Sequence, residues 1–344
     1  MGRGDQAFLR AGRSGWGLLF AAALLAAVLY GVWTYVYAHD RKPAEGSVTL
    51  DIPQAATGAE IAAILEENGV IRSAALFRGA LFLTGDGASL QSGHYRMQRG
   101  LSIAEAVAAL QKGNEWFVTV TVPEGATVRQ MQDIFRNAGI FGAADFQEEA
   151  ASYGPLDYMY GPEAAAVKGE GFLFGDTYDI PVSYTAREIC DMMYRRTDEV
   201  LDADIRARAA ARQMTLHDLM TIASMVEREA RYKEDQTPIA SVILARLAAG
   251  MPLQIDATVQ YALGEVKPEL TEADTQVASP YNTYLRRGLP PGPIGAPGRD
   301  AILSVLSAEP GEYLYYVARA DGRHVFSRTY EEHNARIGEI YGNP

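Results

Sequence analysis

Hydrophobic residues are concentrated in one uninterrupted run near the start of the chain. Residues 15–38 carry no charged side chain and are mostly leucine, alanine, valine and aromatic residues. A helix of about 20 apolar residues crosses the hydrocarbon core of a membrane, so this run predicts one transmembrane helix. It is longer than the apolar core of a secretory signal peptide, and it ends in aromatic residues typical of a membrane interface, namely Trp33, Tyr35 and Tyr37. A cleaved signal peptide is the alternative interpretation.

The charges on either side of this run predict its orientation. One aspartate and three arginines come before it, the arginines being Arg3, Arg10 and Arg13. Basic residues next to a transmembrane helix favour the cytoplasmic side. We therefore expect residues 1–14 to be a cytoplasmic tail, residues 39–46 to be a linker, and the rest of the chain to be exported.

A pattern of a strand followed by a helix occurs twice, at an interval of 70 residues. The segments that begin at Val48 and Val118 share seven of their first 23 residues. In each copy, alternating apolar residues predict a strand and a proline predicts a turn. Thr57 in the first copy and Thr127 in the second then predict the N-cap of an amphipathic helix.

Further short elements lie between the two copies. Residues 93–97 have the pattern of a strand, and Ser102 with Glu105 forms the capping box of a further helix. We expect segments 47–115 and 118–141 each to start with a strand and a helix, packed as small α+β units. Together they predict a LysM-like module over residues 47–142, which serves either as a spacer or docking module or as a glycan-binding module.

The remainder of the chain, residues 143–344, predicts a mixed helical and β domain, so the overall class is α+β. Residues 143–179 are rich in loops, and an Asp-Gly pair between two apolar runs near the end predicts a hairpin over 313–327. Helices are predicted at 184–201, 204–213, 215–231, 236–249 and 330–340.

The helix at 215–231 carries the most informative pattern. Its apolar residues fall on one stripe, and Glu227 lies only about 20° from Leu216 on the same stripe, whereas Arg228 and Glu229 are predicted to face solvent. A carboxyl group among apolar side chains loses hydration, which raises its pKa and lets it act as a general acid near neutral pH. The alternative is a structural glutamate that pairs with an arginine or caps a neighbouring loop.

Composition narrows the possible chemistry. The chain has 31 basic and 43 acidic residues, a net charge of −12, which argues against nucleic acid as a partner. Cys190 is the single cysteine, so an intrachain disulfide and cysteine-based metal sites are excluded. The sequence also contains no glycine-rich phosphate loop and no His-Glu-x-x-His helix. We therefore predict neither a metal nor an organic cofactor.

Two polar loops supply groups that commonly line sugar-binding sites. Gln254 and Asp256 lie in the first, and Asn282 and Tyr284 lie in the second. Together with the proline- and glycine-rich segment at 288–298, they predict a polar groove with aromatic edges. We expect this groove to adjoin Glu227.

Five motifs in this order resemble those of the endolytic murein transglycosylase family, the YceG-like proteins. The resemblance covers the chain from the membrane helix to the end and is densest over 215–334. The motifs are Ala223-Ser-Met-Val-Glu-Arg-Glu229, Gly250-Met-Pro-Leu-Gln-Ile-Asp256, Tyr281-Asn-Thr-Tyr284, Gly288-Leu-Pro-Pro-Gly-Pro-Ile294 and His324-Val-Phe-Ser-Arg-Thr-Tyr330.

The resemblance implies an N-terminal anchor, a LysM-like subdomain and a C-terminal catalytic domain, with Glu227 at the position of the catalytic glutamate. It implies a lyase that cuts peptidoglycan strands internally, between N-acetylmuramic acid and N-acetylglucosamine, and leaves a 1,6-anhydro end. Gln254, Asp256, Asn282 and Tyr284 are then expected to orient the sugar or to stabilise positive charge on it.

The resemblance also implies a location and partners. We expect a single-pass protein of the inner membrane whose catalytic domain is periplasmic and acts in cell-wall assembly. Peptidoglycan glycan strands are the expected substrate, and peptidoglycan synthases are expected as further partners.

Two alternatives remain open from the sequence. The first is a muramidase that uses water, with Asp256 as a second carboxylate about 5–9.5 Å from Glu227. The second is a scaffold without catalytic activity that binds glycan, in which Glu227 is tied to an arginine and borders no groove.

Overall fold

The computed structural model describes residues 5–39, 46–113 and 117–342, and it divides into two compact units. Unit 1 spans residues 1–116 and unit 2 spans residues 117–344. Most of the predicted linker and the first four residues of the predicted tail lie outside the described residues. The described part contains 13 α-helices and three small antiparallel sheets, which confirms the α+β class.

The N-terminal helix of unit 1, α1 (Asp5–His39), contains the predicted membrane segment. Its stretch Leu19–Tyr37 is long and apolar enough to cross a membrane, and most of the side chains along it are exposed. The helix begins at Asp5, before the apolar run, so it includes the part of the predicted tail that the structure describes.

The rest of unit 1 packs three helices against one face of a two-stranded sheet. Val48 lies opposite Met97 in the sheet, and the buried residues Leu50, Ile52 and Tyr95 face the helices. The strands are β1 (Ser47–Ile52) and β2 (Gly93–Gln98), and the helices are α2 (Gly58–Glu67), α3 (Ala74–Thr84) and α4 (Ile103–Lys112).

Threonine and serine caps start α2 and α4 as predicted, whereas α3 is not among the predicted helices. The Thr57 hydroxyl accepts a hydrogen bond from the backbone N–H of Glu60, and the Glu60 carboxylate accepts one from the backbone N–H of Thr57. Ser102 and Glu105 form the same reciprocal pair at the start of α4. Each capping box satisfies donors that the first turn of a helix would otherwise leave unpaired.

Unit 2 contains the remaining elements. Its described residues form two antiparallel sheets of two strands each. One pairs β3 with β4, and the other is the β5–β6 hairpin. The strands are β3 (Phe117–Thr121), β4 (Thr177–Pro181), β5 (Tyr315–Ala318) and β6 (His324–Ser327). The helices are α5 (Val128–Asn137), α6 (Phe146–Ser152), α7 (Ala186–Val200), α8 (Ala203–Ala211), α9 (Leu216–Glu229), α10 (Lys233–Ala248), α11 (Asp256–Leu263), α12 (Arg299–Ser307) and α13 (Tyr330–Tyr341).

Both copies of the repeat form a strand followed by a helix, as predicted. In the second copy, however, Val120, Met131 and Phe135 are buried in the core of unit 2. Strand β3 pairs with β4, a strand about 60 residues later in the chain, and not with an element of unit 1. The boundary between the compact units therefore lies at 116/117, before the second copy, whereas the sequence placed it after residue 142. The LysM-like character of unit 1 stays a prediction.

Helix α9 is the central element of unit 2. Every residue from Leu219 to Val226 is buried, because α8, α10, α11 and α12 all pack against it. Polar contact with solvent is therefore limited to the two ends of the helix.

A substitution at Phe135 tests whether the second repeat copy contributes to the core of unit 2. Its ring is fully buried and packs edge-to-face on Phe146 at 4.8 Å between centroids. We expect Phe135→Ala to lower the free energy of unfolding by about 3–5 kcal/mol, the usual cost of removing a buried aromatic ring. Chemical denaturation would measure this. Phe117→Ala is the matched control, since the Phe117 side chain is 52% exposed and should cost far less.

Candidate active site

The last turn of α9 carries three charged residues in three different directions. Glu227, Arg228 and Glu229 follow the buried stretch and are all partly buried. Glu227 and Glu229 border two separate clefts of unit 2. The residues that line each cleft therefore show which of the two glutamates lies beside the predicted sugar-binding residues.

Glu229 borders a large open cleft of about 700 Å³. Gln254, Asp256 and Tyr284, three of the four residues predicted to share a groove beside Glu227, line this cleft together. The β5–β6 hairpin and α13 form other parts of its wall, contributing Tyr315, Tyr316, His324, Tyr330 and His333. This combination of carboxylates, an amide and aromatic rings is suited to a polar ligand with apolar faces, such as a sugar.

The carboxyl group of Glu229 is held by two donors from distant parts of the chain. The Tyr316 hydroxyl donates to its Oε2 at 3.2 Å, and the backbone N–H of Ala257, in the first turn of α11, lies 3.4 Å from its Oε1. Burial and, secondarily, the nearby charge of Asp256 raise the pKa of Glu229, while the two hydrogen bonds and Arg228 lower it, and the net result is a pKa of about 7. A carboxyl group in this range can both donate and accept a proton near neutral pH.

The prediction that Glu229 faces solvent is wrong. The helical pattern describes only the faces of α9, and Glu229 does lie off its apolar stripe. That face is covered by the hairpin strand β5 and by the start of α11, through Tyr316 and Ala257. A helical wheel shows only which face of the helix a residue lies on, so it does not predict that elements distant in sequence cover that face.

Asp256 and Tyr284 form a pair inside the cleft. The Tyr284 hydroxyl donates to Oδ1 of Asp256 at 2.5 Å, and burial together with this bond raises the pKa of Tyr284. Gln254 is exposed beside them and adopts a left-handed backbone with φ of 52°. Such a backbone costs energy in a residue other than glycine, and it is held here by the hydrogen bond from the Gln254 N–H to the carbonyl of Thr283.

Asn282 does not reach the cleft. It is fully buried, and its amide group donates to the carbonyls of Thr275 and Val277 and accepts from the backbone N–H of Tyr284. All of these bonds lie within its own loop. Asn282 therefore positions Tyr284 and offers no free group to a ligand, in contrast to the prediction.

Glu227 lies in a different environment from the four predicted binding residues. Its cleft, of about 530 Å³, is lined by Glu124, Gly125 and Gln130 among others, and it contains none of those four residues. Oε2 of Glu227 accepts a hydrogen bond from the backbone N–H of Gly298, the N-cap of α12, at 3.2 Å. Burial raises the pKa of Glu227, Gly298 lowers it, and the charges of Glu124 and Asp300 raise it.

Glu227 therefore borders a cleft, but not one lined by the four predicted residues. A raised pKa and a position on the apolar stripe are both present, as predicted, but the predicted partners surround Glu229 instead. The contact with Gly298 matches the alternative in which Glu227 caps a neighbouring loop, because it satisfies a donor at the positive end of α12.

Sequence reasoning missed two residues at this cleft, Tyr316 and His324. His324 is held against Asp235, with 3.1 Å between Nδ1 and Oδ2. Its ring also packs edge-on against Tyr316 at 5.4 Å between centroids. The hairpin pattern around 313–327 was the available signal, but no local pattern indicates what that hairpin covers.

Within the described residues, no group of three or more histidine, cysteine, aspartate or glutamate side chains is placed to hold a metal ion. The arrangement that the cleft offers is a protonatable carboxyl group beside hydrogen-bonding and aromatic groups.

The raised pKa of Glu229 makes the stability of the chain depend on pH. An unfolded glutamate loses its proton near pH 4.5, whereas folded Glu229 keeps it until about pH 7, so the folded state binds more protons between these values. Stability must therefore fall as pH rises through this window, by at most about 3 kcal/mol from this group. Glu170, whose pKa burial also raises to about 7, adds an effect of the same sign.

We expect Glu229→Gln, and more so the double variant with Glu170→Gln, to flatten this loss of stability. Urea unfolding across the pH window would measure it. Unchanged pH dependence in the double variant would show that neither carboxyl group has the raised pKa.

Comparison with known proteins agrees with the architecture and the motifs. The model of the YceG-like family matches residues 50–339. The endolytic murein transglycosylase of Bacillus subtilis (strain 168) is 31% identical over 307 residues, which cover 85% of this chain and 84% of the relative. The protein of the same name from Streptococcus pneumoniae serotype 2 (strain D39) is 31% identical over 321 residues, covering 85% of this chain and 58% of the relative.

A solved structure gives the same result. The crystal structure of a YceG-like protein from Listeria monocytogenes is 31% identical and superposes with a TM-score of 0.59, covering 85% of this chain and all of that chain. The family match spans most of the sequence and includes every residue of the Glu229 cleft but Tyr341. The chain belongs to the YceG-like family.

Proposed function

We propose that this chain is a peptidoglycan transglycosylase that cuts glycan strands internally. Its similarity to proteins named endolytic murein transglycosylase supports the class of reaction. The observation that carries the assignment to a site is the carboxyl group of Glu229, which has a pKa of about 7 and borders the cleft that Gln254, Asp256 and Tyr284 share.

The bond that we propose for cleavage joins N-acetylmuramic acid to N-acetylglucosamine. Protonated Glu229 donates its proton to the bridging oxygen, and the bond from that oxygen to C1 of the muramyl sugar breaks. The Glu229 carboxylate then removes the proton from the 6-hydroxyl of the same sugar, whose oxygen attacks C1 and closes a 1,6-anhydro ring. Glu229 regains its proton, so one carboxyl group serves as acid and then as base.

The surroundings of Glu229 suit both steps. Burial keeps the proton on the resting carboxyl group, while the Tyr316 hydroxyl and the Ala257 N–H stabilise the carboxylate that forms after the first transfer. The ring closes with an oxygen of the substrate, so this reaction needs no second carboxylate to activate water or to form a covalent bond. Asp256 and Gln254 are proposed to orient the sugar and to stabilise the positive charge that develops at C1.

The identity of the acid differs from the sequence prediction. Glu227 stays a candidate because its pKa is also raised. Its separation from the predicted sugar-binding residues favours a structural role, whereas contact with a helix N-terminus is common to Glu227 and Glu229. Glu229 has the same chemistry together with the expected neighbours.

Hydrolysis is a second candidate for the same cleft. Asp256 lies close enough to Glu229 to raise its pKa, so a second carboxyl group is at hand to activate water. The bond from Tyr284 to Oδ1 occupies one oxygen of Asp256 and favours an orienting role. The product distinguishes the two reactions, because hydrolysis leaves an ordinary reducing end.

The location that we propose is the inner membrane, spanned once by α1. The stretch Leu19–Tyr37 has the length and the hydropathy for this role. A cytoplasmic N-terminus and a periplasmic unit 2 would place the cleft beside the cell wall, where peptidoglycan synthases are proposed as further partners.

Two glutamates in one turn of α9 provide a matched test of the acid. General acid catalysis contributes about 10²–10⁴ in rate, so we expect Glu229→Gln to reduce release of anhydromuropeptides by about that factor. Glu227→Gln should retain most of the activity, because glutamine keeps a carbonyl oxygen for the Gly298 N–H. Mass spectrometry of the products of both full-length variants would measure this.

Both variants need a check of their fold by circular dichroism and thermal unfolding. The reverse ranking, with Glu227→Gln inactive and Glu229→Gln active, would return the acid to Glu227. Ordinary reducing ends from the unmodified chain would replace the lyase by the hydrolase while leaving the acid in place.

Tyr316 provides a test that depends on pH. Its hydrogen bond lowers the pKa of Glu229, so Tyr316→Phe should raise that pKa and move the alkaline limb of the activity profile to higher pH. Tyr315→Phe is the control, because Tyr315 lines the same cleft and, among the described contacts, makes no hydrogen bond to Glu229. An equal shift in both variants, or none in Tyr316→Phe, would contradict this role.

A further inference from the structure

Helix α3 of unit 1 exposes large apolar side chains at its C-terminal end. Phe82 is 87% exposed and Leu83 is 63% exposed, although Phe77 and Leu81 of the same helix are buried in the core of unit 1. The two neighbouring side chains leave a continuous apolar surface in contact with water, and such surface is stabilised when lipid or protein covers it. We call Phe82 and Leu83 the apolar tip.

The apolar tip lies next to the membrane helix α1, which belongs to the same unit. A side chain at Gly79, one turn before the tip on the same face of α3, would lie 3.9 Å from the ring of Trp33. Just after the tip, the Asp86 carboxylate interacts electrostatically with Tyr37. Measured along the axis of α1, the tip therefore lies between the levels of Trp33 and Tyr37.

These two levels fall within the last turn of the apolar stretch. Leu19–Tyr37 has 19 residues, about 28 Å of helix, which matches a hydrocarbon core of about 30 Å. Tyr37 then marks the edge of the core, and Trp33 lies about 6 Å deeper. A side chain bracketed by these levels and exposed on the outside of unit 1 would meet lipid, not water.

We propose that the apolar tip inserts into the bilayer beside α1, so that α3 forms a second, interfacial contact of unit 1 with the membrane. The inference depends on the proposed membrane span of α1 and extends it. Lipid is the expected occupant because the tip continues the exposed apolar surface of α1.

Arg78 must be accommodated at the same depth. It is exposed and directly precedes Gly79, so it lies at about the level of Trp33. Its long side chain would have to extend past Phe82 toward the membrane surface to place its charge among the lipid phosphate groups. The tip would hold unit 1 close to the membrane and limit its rotation about the end of α1.

The test places a fluorescent label at single positions of the full-length chain. Phe82→Cys is labelled with an environment-sensitive dye and reconstituted in nanodiscs of phosphatidylethanolamine and phosphatidylglycerol that carry nitroxide lipids. The native Cys190 stays unlabelled, because it is buried and its thiol pKa is raised to about 12. We expect the dye at position 82 to be quenched by the nitroxide lipids and shielded from aqueous iodide.

Two control positions separate the possible outcomes. Thr49→Cys lies on the exposed face of β1, away from the helices of unit 1, and should be quenched by iodide only. Leu24→Cys lies within the proposed span and should be quenched by lipid. Loss of lipid quenching at 24 would reject the span itself, whereas quenching at 24 but not at 82 would reject the insertion of the tip alone.

A dye at position 82 that is shielded from both quenchers would also overturn the proposal, because protein and not lipid would then cover the tip. Leu83→Cys repeats the measurement at the neighbouring position. If the dye gives the same result at positions 82 and 83, a local disturbance caused by the dye at one position does not explain it.

Discussion

The burial of α9 is the constraint on which the organisation of unit 2 depends. Four helices pack around it, and every residue from Leu219 to Val226 is removed from solvent. A helix covered on all sides can present charged groups only where it ends. The three charged residues of its last turn are therefore directed into the clefts that surround the end of the helix, and these clefts are where chemistry can occur.

The carboxyl groups near this end share a second physical feature. Glu227 accepts from Gly298 at the start of α12, Glu229 lies against Ala257 at the start of α11, and Glu170 accepts from Val128 at the start of α5. The N-terminus of a helix carries partial positive charge and unpaired N–H groups, which offset part of the cost of burying a carboxylate. Burial still raises the pKa of each group, so helix termini and burial act in opposite directions at all three.

A raised pKa therefore does not by itself identify a catalytic group in this protein. Glu170 and Glu229 both titrate near pH 7, yet the Glu170 side chain is buried and engaged by Val128 and Tyr261. Glu170, Glu227 and Glu229 each border a cleft, but of these three clefts the one at Glu229 is also lined by Asp256, Gln254 and Tyr284. The polar residues that share its cleft, and not acidity alone, separate the candidate acid from the other buried carboxyl groups.

Local signals in the sequence determined the secondary structure of this chain well. Thr57, Ser102 and Thr127 start helices where predicted, and the Asp-Gly pair near residue 321 does join two strands of a hairpin. These features depend on hydrogen bonds within a few residues, so the sequence contains them directly. It also contained the membrane-length segment and predicted that Gln254, Asp256 and Tyr284 would lie together, and these three residues do line one cleft.

The tertiary structure alone decided which elements come together. It assigned the second repeat copy to unit 2, because β3 pairs with a strand about 60 residues away. It buried Asn282 in its own loop, and it enclosed Glu229 between Tyr316 and Ala257, which are 87 and 28 residues away in the chain. A helical pattern reports how a residue lies on its own helix, whereas the pKa and the access of Glu229 depend on what distant segments place against it.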